Sequence, residues 1–221
     1  MKRREFSRSA AAASAFVALS GAAAAPAWAQ GPSVKPKAGS DYLQLDKRVA
    51  TEAPAGKFEV IEFFWYNCPH CSAFEPRFES WKKSAPPEVM VRRVPVSFRD
   101  DFLPQQKLYY TLEALGQTDA LHGKVFQAIH TERVPLGKDD QIVAWAVKQG
   151  LDKDEFLKAY NSFGVATSAR RATQLQDAYK VGGVPALGIA GRYYVDGTLA
   201  GSMERALQVT EYLLADLRKG S

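Results

Sequence analysis

The strongest hydrophobic pattern of the chain is a nearly continuous apolar run at residues 58–66, with the sequence FEVIEFFWY. Its β-branched and aromatic side chains are typical of a central β-strand that is covered on both faces. Apolar residues then recur at helical spacing and predict a helix with one buried face. This face consists of Cys71, Phe74, Phe78 and Trp81. A second apolar segment, residues 89–96, predicts a strand parallel to the first, joined to it by a right-handed crossover.

Residues 102–163 show a different pattern, with several short amphipathic stretches that predict helices and almost no strand signal. A longer predicted helix follows. Strand signals return at 186–190 and 192–195, which predict a hairpin, and the last stretch predicts another helix. The order β-α-β, helices, β-β-α indicates one α/β unit, residues 30–101 and 164–221, that is split by an α-helical insert at 102–163.

The first 29 residues have the pattern of a cleaved export signal. Basic residues at the start precede a charge-free, alanine-rich stretch, which ends in the sequence AWA and so matches an A-x-A cleavage site. Arg3 and Arg4 resemble the start of a twin-arginine signal, although ordinary export signals also begin with clustered basic residues. We therefore expect a mature chain that begins at Gln30 and works in an oxidising compartment. The sequence does not decide between the two export routes.

Composition changes this picture little. The 221 residues are 46% hydrophobic and 24% charged, which is ordinary for a soluble globular protein and excludes a disordered or collagen-like chain. The net charge is +5, and most of it lies in the predicted export signal. A basic surface for nucleic acid is therefore not expected.

The chemistry of the chain points to Cys68 and Cys71, its only cysteines, at the junction of the predicted strand and helix. If Cys68 caps the helix and Pro69 takes its first position, the Cys71 N–H and the helix dipole stabilise a Cys68 thiolate. His70 adds to this stabilisation when it is protonated or donates an N–H. We expect Cys68 to be exposed with a lowered pKa, and Cys71 to be buried. Because a stable thiolate is a good leaving group, we predict that a Cys68–Cys71 disulfide oxidises other thiols.

Glu62 interrupts the apolar run six residues before Cys68. A buried carboxylate there has a raised pKa and is suited to supply the proton that Cys71 needs when it leaves the disulfide. Two alternatives stay open: an exposed edge position, or a structural pair with Arg93.

Other chemistries fit the C-x-x-C spacing less well. A zinc site needs four ligands, and only His122 and His130 are available to complete it; both lie on predicted helices, where surface positions are commoner. A c-type haem needs histidine where Ser72 stands. A structural disulfide would stabilise little across so short a loop. We predict a redox pair without a metal and without a cofactor beyond the disulfide itself.

Two motifs together resemble the DsbA family of periplasmic thiol:disulfide oxidoreductases. The sequence EFF at 62–64 followed by CPHC at 68–71 is similar to the family's active-site strand and helix start, and GVP at 183–185 is similar to its second signature, a valine before a cis-proline. The resemblance implies a thioredoxin fold with an inserted α-helical domain. It also implies that Val184 and Pro185 face the active-site disulfide and bind substrate.

The resemblance further implies the roles of the site residues and the partners. Cys68 is the sulfur that substrate attacks, Cys71 is its buried partner, Pro69 and His70 tune the pair, and Glu62 is the buried acid. The implied substrates are newly exported, unfolded proteins with cysteines, and a DsbB-like membrane oxidase linked to quinone restores the disulfide. We expect a periplasmic protein, a monomer, with no nucleic-acid partner.

Two alternatives to the oxidase keep the same fold. One is a disulfide isomerase or reductase, although residues 30–57 are too few for the N-terminal dimerisation domain of exported isomerases that resemble DsbC. The other is a non-enzymatic metal- or partner-binding module. Pro185 has its own alternative, a trans-proline that opens a strand, whereas a cis bond would leave the Val184 backbone free to pair with an extended substrate.

Overall fold

The computed structural model describes residues 35–219, so the predicted export signal at 1–29 lies outside the described residues. Within them, five strands form one sheet in the order β1-β5-β4-β2-β3. The strands are β1 (Leu43–Gln44), β2 (Phe58–Phe64), β3 (Val89–Pro95), β4 (Ala186–Ile189) and β5 (Tyr193–Asp196).

The predicted central strand is β2, which lies between β3 and β4. It pairs with β3 in parallel and with β4 antiparallel, so its backbone is bonded on both sides. After Phe58, every residue of β2 is buried, as the apolar run predicts. The predicted hairpin is also present, since β4 pairs antiparallel with β5.

The helix α1 (Pro69–Ser84) begins directly after β2, and Cys68 is its N-cap. Its predicted apolar face is confirmed, because Cys71, Phe74, Phe78 and Trp81 are all buried. Pro76 lies inside this helix.

A one-turn 3₁₀ helix (Asp100–Phe102) and five α-helices separate β3 from β4. The α-helices are α2 (Leu103–Ala114), α3 (Thr118–His130), α4 (Asp139–Lys148), α5 (Lys153–Tyr160) and α6 (Phe163–Ala178). Asp152 caps α5 by accepting a hydrogen bond from the Glu155 N–H at 2.9 Å. The segment between β3 and β4 is therefore helical, as predicted. The division of the chain into an insert at 102–163 and an α/β unit on either side of it stays a prediction.

Some elements were not predicted. The two-residue strand β1 pairs with Tyr193 and Tyr194 at the sheet edge, but two residues are too few to show an alternating pattern. After β5, the short α7 (Gly197–Ala200) precedes the expected last helix, α8 (Met203–Lys219). Between residues 35 and 219, no helix combines the length and the apolar character that crossing a bilayer needs.

Candidate active site

The two cysteines lie where β2 ends and α1 begins. Cys68 has the extended backbone of an N-cap, and its sulfur accepts a hydrogen bond from the Cys71 N–H at 3.4 Å. Pro69 occupies the first turn of the helix, where its missing N–H costs nothing. Both cysteines are free thiols in the structure. The local geometry is therefore the one that the sequence predicts for a stabilised Cys68 thiolate.

The two sulfurs have opposite acidities. A hydrogen bond from the Cys71 thiol, together with the backbone N–H groups of Cys71 and His70 and the charge of His70, lowers the pKa of Cys68 to about 6, against the effect of burial. Burial and the adjacent Cys68 raise the pKa of Cys71 far above its ordinary value. At neutral pH, Cys68 is thus mainly a thiolate, whereas Cys71 keeps its proton.

The expected exposure of Cys68 is wrong. Only 7% of the residue is exposed, and Cys71 is fully buried. Cys68 is covered by the loop that contains Val184, whose carbonyl oxygen lies 3.4 Å from the Cys68 sulfur and accepts its hydrogen bond when the thiol is protonated. Pro69 and His70 next to it are exposed, so the accessible side of the pair is the first turn of α1.

The loop before β4 forms the other side of this site. The peptide bond between Val184 and Pro185 is cis, and both residues lie directly before β4. Together with His70 and Asp196, they line a cavity of about 350 Å³. The structure therefore brings the predicted substrate-binding residues next to the predicted catalytic pair.

Glu62 is buried, with 1% of the residue exposed, so the proposed edge position is wrong. It lies opposite Arg93 in the parallel pair of β2 and β3, and Arg93 Nε donates to its carboxylate at 2.9 Å. Burial raises the pKa of Glu62 to about 8, against the opposite charge of Arg93. Its charge is also one of the influences that raise the pKa of Cys71. The proton-shuttle role stays a prediction, and the structural pair exists beside it.

Arg93 joins Glu62 to a larger buried cluster. It donates to both carboxylate oxygens of Glu75, at 2.9 and 3.0 Å, and lies 2.8 Å from a carboxylate oxygen of Glu79. Although burial opposes the change, His122 and Arg93 lower the pKa of Glu75. Arg93 therefore holds three carboxylates, that of Glu62 on β2 and those of Glu75 and Glu79 on α1.

The two helix histidines are not where the sequence predicts. His122 is only 3% exposed, because α3 packs on α1 and its ring lies among aromatic side chains. Its Nε2 is 3.4 Å from Glu75, and its Nδ1 is 2.9 Å from the hydroxyl of Tyr66. His130 is half-buried, and its Nε2 is 2.8 Å from the carbonyl oxygen of Tyr66. Among residues 35–219, no three potential metal ligands come together.

One of these residues was open to sequence reasoning. Glu75 follows Cys71 by four residues, so on a helix it shares the buried face of that cysteine. A carboxylate on such a face indicates a buried partner. The contacts of His122 and His130 with Tyr66 have no such signal, because they join segments that are more than 50 residues apart.

We predict that a Glu62→Gln variant gains stability relative to the natural protein as the pH rises. The folded state keeps the Glu62 proton up to about pH 8, whereas the unfolded carboxyl releases it near pH ~4.3. The natural protein therefore binds more protons when folded, and its relative stability falls between these values by up to about 1.4 kcal/mol per pH unit. Urea unfolding of both proteins at pH 5, 6, 7 and 8 measures this.

Glu79→Gln is the matched control for this measurement. The pKa of Glu79 is lowered, since its hydrogen bond and ion pair with Arg93 outweigh partial burial, so its carboxyl is ionised in both states above pH ~5. Because the charge of Glu79 is only a minor influence on the pKa of Glu62, its substitution is expected to shift stability by nearly the same amount from pH 5 to 8. Parallel pH profiles for Glu62→Gln and the natural protein would show that Glu62 is ionised in the fold.

Comparison with known proteins identifies the family. Residues 59–208 match the family model of the DSBA-like thioredoxin domain. The thiol:disulfide interchange protein DsbA of Bordetella parapertussis is 41% identical over 202 residues, which cover 91% of this chain and 96% of that protein. DsbA of Pseudomonas aeruginosa strain PAO1 is 37% identical over 80% of this chain and 83% of its own. A crystal structure of Pseudomonas aeruginosa DsbA superposes with a TM-score of 0.79 at 36% identity, covering 84% of this chain and 96% of that chain.

Fold and site together define a thiol:disulfide oxidoreductase with a thioredoxin fold and an inserted helical domain. The chain belongs to the DsbA-like thioredoxin family. The predicted fold class and the family resemblance are thereby confirmed.

Proposed function

We propose that this chain is an exported dithiol oxidase, which donates the Cys68–Cys71 disulfide to newly exported proteins that contain cysteines. The observation that carries the proposal is the opposite acidity of the two sulfurs, with the pKa of Cys68 lowered to about 6 and that of Cys71 raised. A disulfide whose outer sulfur is so stable as a thiolate is easily reduced by substrate thiols.

The reaction consists of two exchange steps. A substrate thiolate attacks Cys68, the Cys68–Cys71 bond breaks, and Cys71 leaves and takes up a proton. A second substrate thiolate then attacks the substrate sulfur of the mixed disulfide, and Cys68 leaves as a thiolate. The substrate loses two electrons as its disulfide forms, and the cysteine pair gains them. We assign the proton for Cys71 to Glu62, which is protonated at neutral pH because burial raises its pKa to about 8.

Substrate binding is assigned to the cavity between α1 and the loop before β4. The Val184 carbonyl lies directly at the Cys68 sulfur, and Pro185 and His70 line the same cavity. An extended peptide that pairs with the Val184 backbone places its own cysteine next to Cys68. Recognition through the backbone suits a protein that acts on many unfolded chains.

The remaining parts of the proposal concern place and recycling. Residues 1–29 direct export, and the periplasm is the working compartment. A DsbB-like membrane oxidase linked to quinone removes the two electrons, so that no metal or additional cofactor is needed. The protein acts as a monomer and binds no nucleic acid. The relatives named thiol:disulfide interchange protein DsbA support the disulfide exchange on which this cycle depends.

The redox equilibrium with glutathione tests the proposal. We expect the Cys68–Cys71 pair to have a redox potential well above the about −270 mV of thioredoxin. At ratios of reduced to oxidised glutathione that keep thioredoxin oxidised, this pair is then largely reduced. Catalytic amounts of the oxidised protein are also expected to accelerate the oxidation of a reduced, unfolded test protein. A potential near −270 mV would instead assign the chain to the reductases. Stoichiometric zinc binding after mild reduction, without thiol exchange, would favour the binding module.

A further inference from the structure

Tyr66 lies two residues before Cys68, is fully buried, and contacts α3 at both ends and along its ring. Its hydroxyl is 2.9 Å from Nδ1 of His122, and its carbonyl oxygen is 2.8 Å from Nε2 of His130. Between these contacts, its ring packs on Phe126 at a centroid distance of 5.1 Å.

The spacing of these contacts explains how one helix makes all three. The three α3 residues follow each other at intervals of four, so they lie on neighbouring positions of one helix face. Each interval corresponds to about 6 Å of helix length. Tyr66 therefore lies along α3, with its hydroxyl at the level of His122 and its backbone at the level of His130.

The hydrogen-bonding groups of both histidines fit these contacts without a buried charge. The carbonyl of Tyr66 only accepts, so His130 Nε2 carries a proton and donates. A neutral His122 accepts from the Tyr66 hydroxyl at Nδ1 and keeps its other proton on Nε2, on the side of Glu75. Burial lowers the pKa of His122, which favours this neutral ring.

We propose that α3 positions the turn before Cys68 by holding Tyr66, and that His130 is the positioning residue. This role rests on the oxidoreductase function proposed above. The turn itself is closed by a hydrogen bond of 3.0 Å from the Cys68 N–H to the carbonyl of Trp65. His130 holds the next carbonyl, in the middle of the same turn.

The restraint acts mainly in the dithiol form. In the disulfide form, the bond to Cys71 itself keeps Cys68 in place. In the dithiol form, only the turn and the helix start keep the Cys68 sulfur in front of the Cys71 N–H, which stabilises the thiolate. A firmly held turn therefore favours the reduced pair, and the inserted helices thereby make the disulfide more oxidising.

A His130→Leu variant tests this role. We expect its equilibrium with glutathione to shift toward the disulfide by about three- to tenfold, the factor of one ordinary hydrogen bond. The pKa of the Cys68 thiol, measured by thiolate absorbance, is expected to rise with it. His130→Gln keeps a side-chain N–H donor and is expected to recover most of both values. A glutamine variant that behaves like the leucine variant would overturn the role of the donor.

Val125→Ala is the control for a loss of stability alone. Val125 is a fully buried residue of α3, and its truncation weakens packing while it leaves both hydrogen bonds of Tyr66 and its ring contact with Phe126 in place. We expect a lower melting temperature with an unchanged glutathione equilibrium. If this variant shifts the equilibrium as much as His130→Leu, or if His130→Leu leaves it unchanged, the positioning role is wrong. The equilibrium constant of the variant with glutathione, relative to that of the natural protein, tests this role. The absolute redox potential of the natural protein tests the proposed function.

Discussion

A Cys71→Ala variant is expected to accumulate as a mixed disulfide through Cys68, whereas a Cys68→Ala variant is expected to form none. The cause is the difference between the two sulfurs. Cys71→Ala loses the hydrogen bond from the Cys71 thiol, but the backbone N–H groups at positions 70 and 71 and the charge of His70 still lower the pKa of Cys68. In Cys68→Ala, burial keeps the Cys71 thiol protonated. Since the thiolate is the nucleophile, the rates of attack are expected to differ by more than about 100-fold.

Oxidised glutathione gives a direct measurement of this difference. In Cys71→Ala, the Cys68 thiolate attacks the glutathione disulfide, one glutathione leaves as a thiolate, and the other stays bound. Mass spectrometry at successive times is expected to show one glutathione on this variant within minutes and none on Cys68→Ala. Both variants are expected to oxidise a reduced test protein at the uncatalysed rate, because each lacks the disulfide.

The two variants are matched, since each removes one sulfur from the same helix start. Labelling of a denatured sample of each variant shows that both remaining thiols are intact. Equal rates of glutathione addition to the two folded variants would contradict the assignment of Cys68 as the attacked sulfur. Faster addition to Cys68→Ala would reverse the roles of the two cysteines.

The parts of this site that sequence reasoning predicts are those set by local chemistry. The Cys68 cap, Pro69 in the first turn and the buried face of Cys71 follow from rules that act over one or two helix turns. The apolar run likewise predicts β2, because only a strand covered on both faces accommodates it. Local rules therefore place the reacting sulfurs and the strand that carries them.

The parts that it misses depend on contacts between distant segments. Cys68 is covered by the carbonyl of Val184, a residue that follows it by 116 positions. Glu62 meets Arg93 because the register of β2 against β3 sets them opposite each other, and a sequence pattern does not define that register. His122 is buried because α3 packs on α1, whereas its sequence position alone is typical of a helix surface.

The dithiol form is expected to gain stability relative to the disulfide form as the pH rises from 6 to 8. Above about pH 8 the gain levels off, because the unfolded chain also releases the Cys71 proton that the fold keeps. The pKa of Cys68 is about 6 in the fold, whereas an unfolded cysteine titrates near pH ~8.5. Between these values, the unfolded dithiol chain binds more protons than the folded one, so its stability increases with pH. This contribution is complete above the unfolded pKa, is lost as the pH falls through about 6, and amounts to about 3 kcal/mol.

The disulfide, in contrast, stabilises the oxidised form, because it restricts the unfolded chain. Closing a loop as short as that between Cys68 and Cys71 contributes about 2 kcal/mol of chain entropy to the stability of the disulfide form. Below about pH 7, this contribution exceeds that of the partly ionised thiolate. Above about pH 8, the thiolate contribution is the larger one, so that the dithiol form becomes the more stable form.

Urea unfolding of both forms at intervals from pH 5 to 9 measures this crossing. The buried carboxylates and His122 are present in both forms, so their own titrations largely cancel in the difference. Cys68→Ala is the control, because its remaining thiol at Cys71 stays protonated in the fold and gives no rise in stability over this range. If the difference in stability between the two forms is constant from pH 6 to 8, the Cys68 thiol has its ordinary pKa in the fold. The driving force for donating the disulfide would then have to come from strain in the oxidised site instead of from the thiolate.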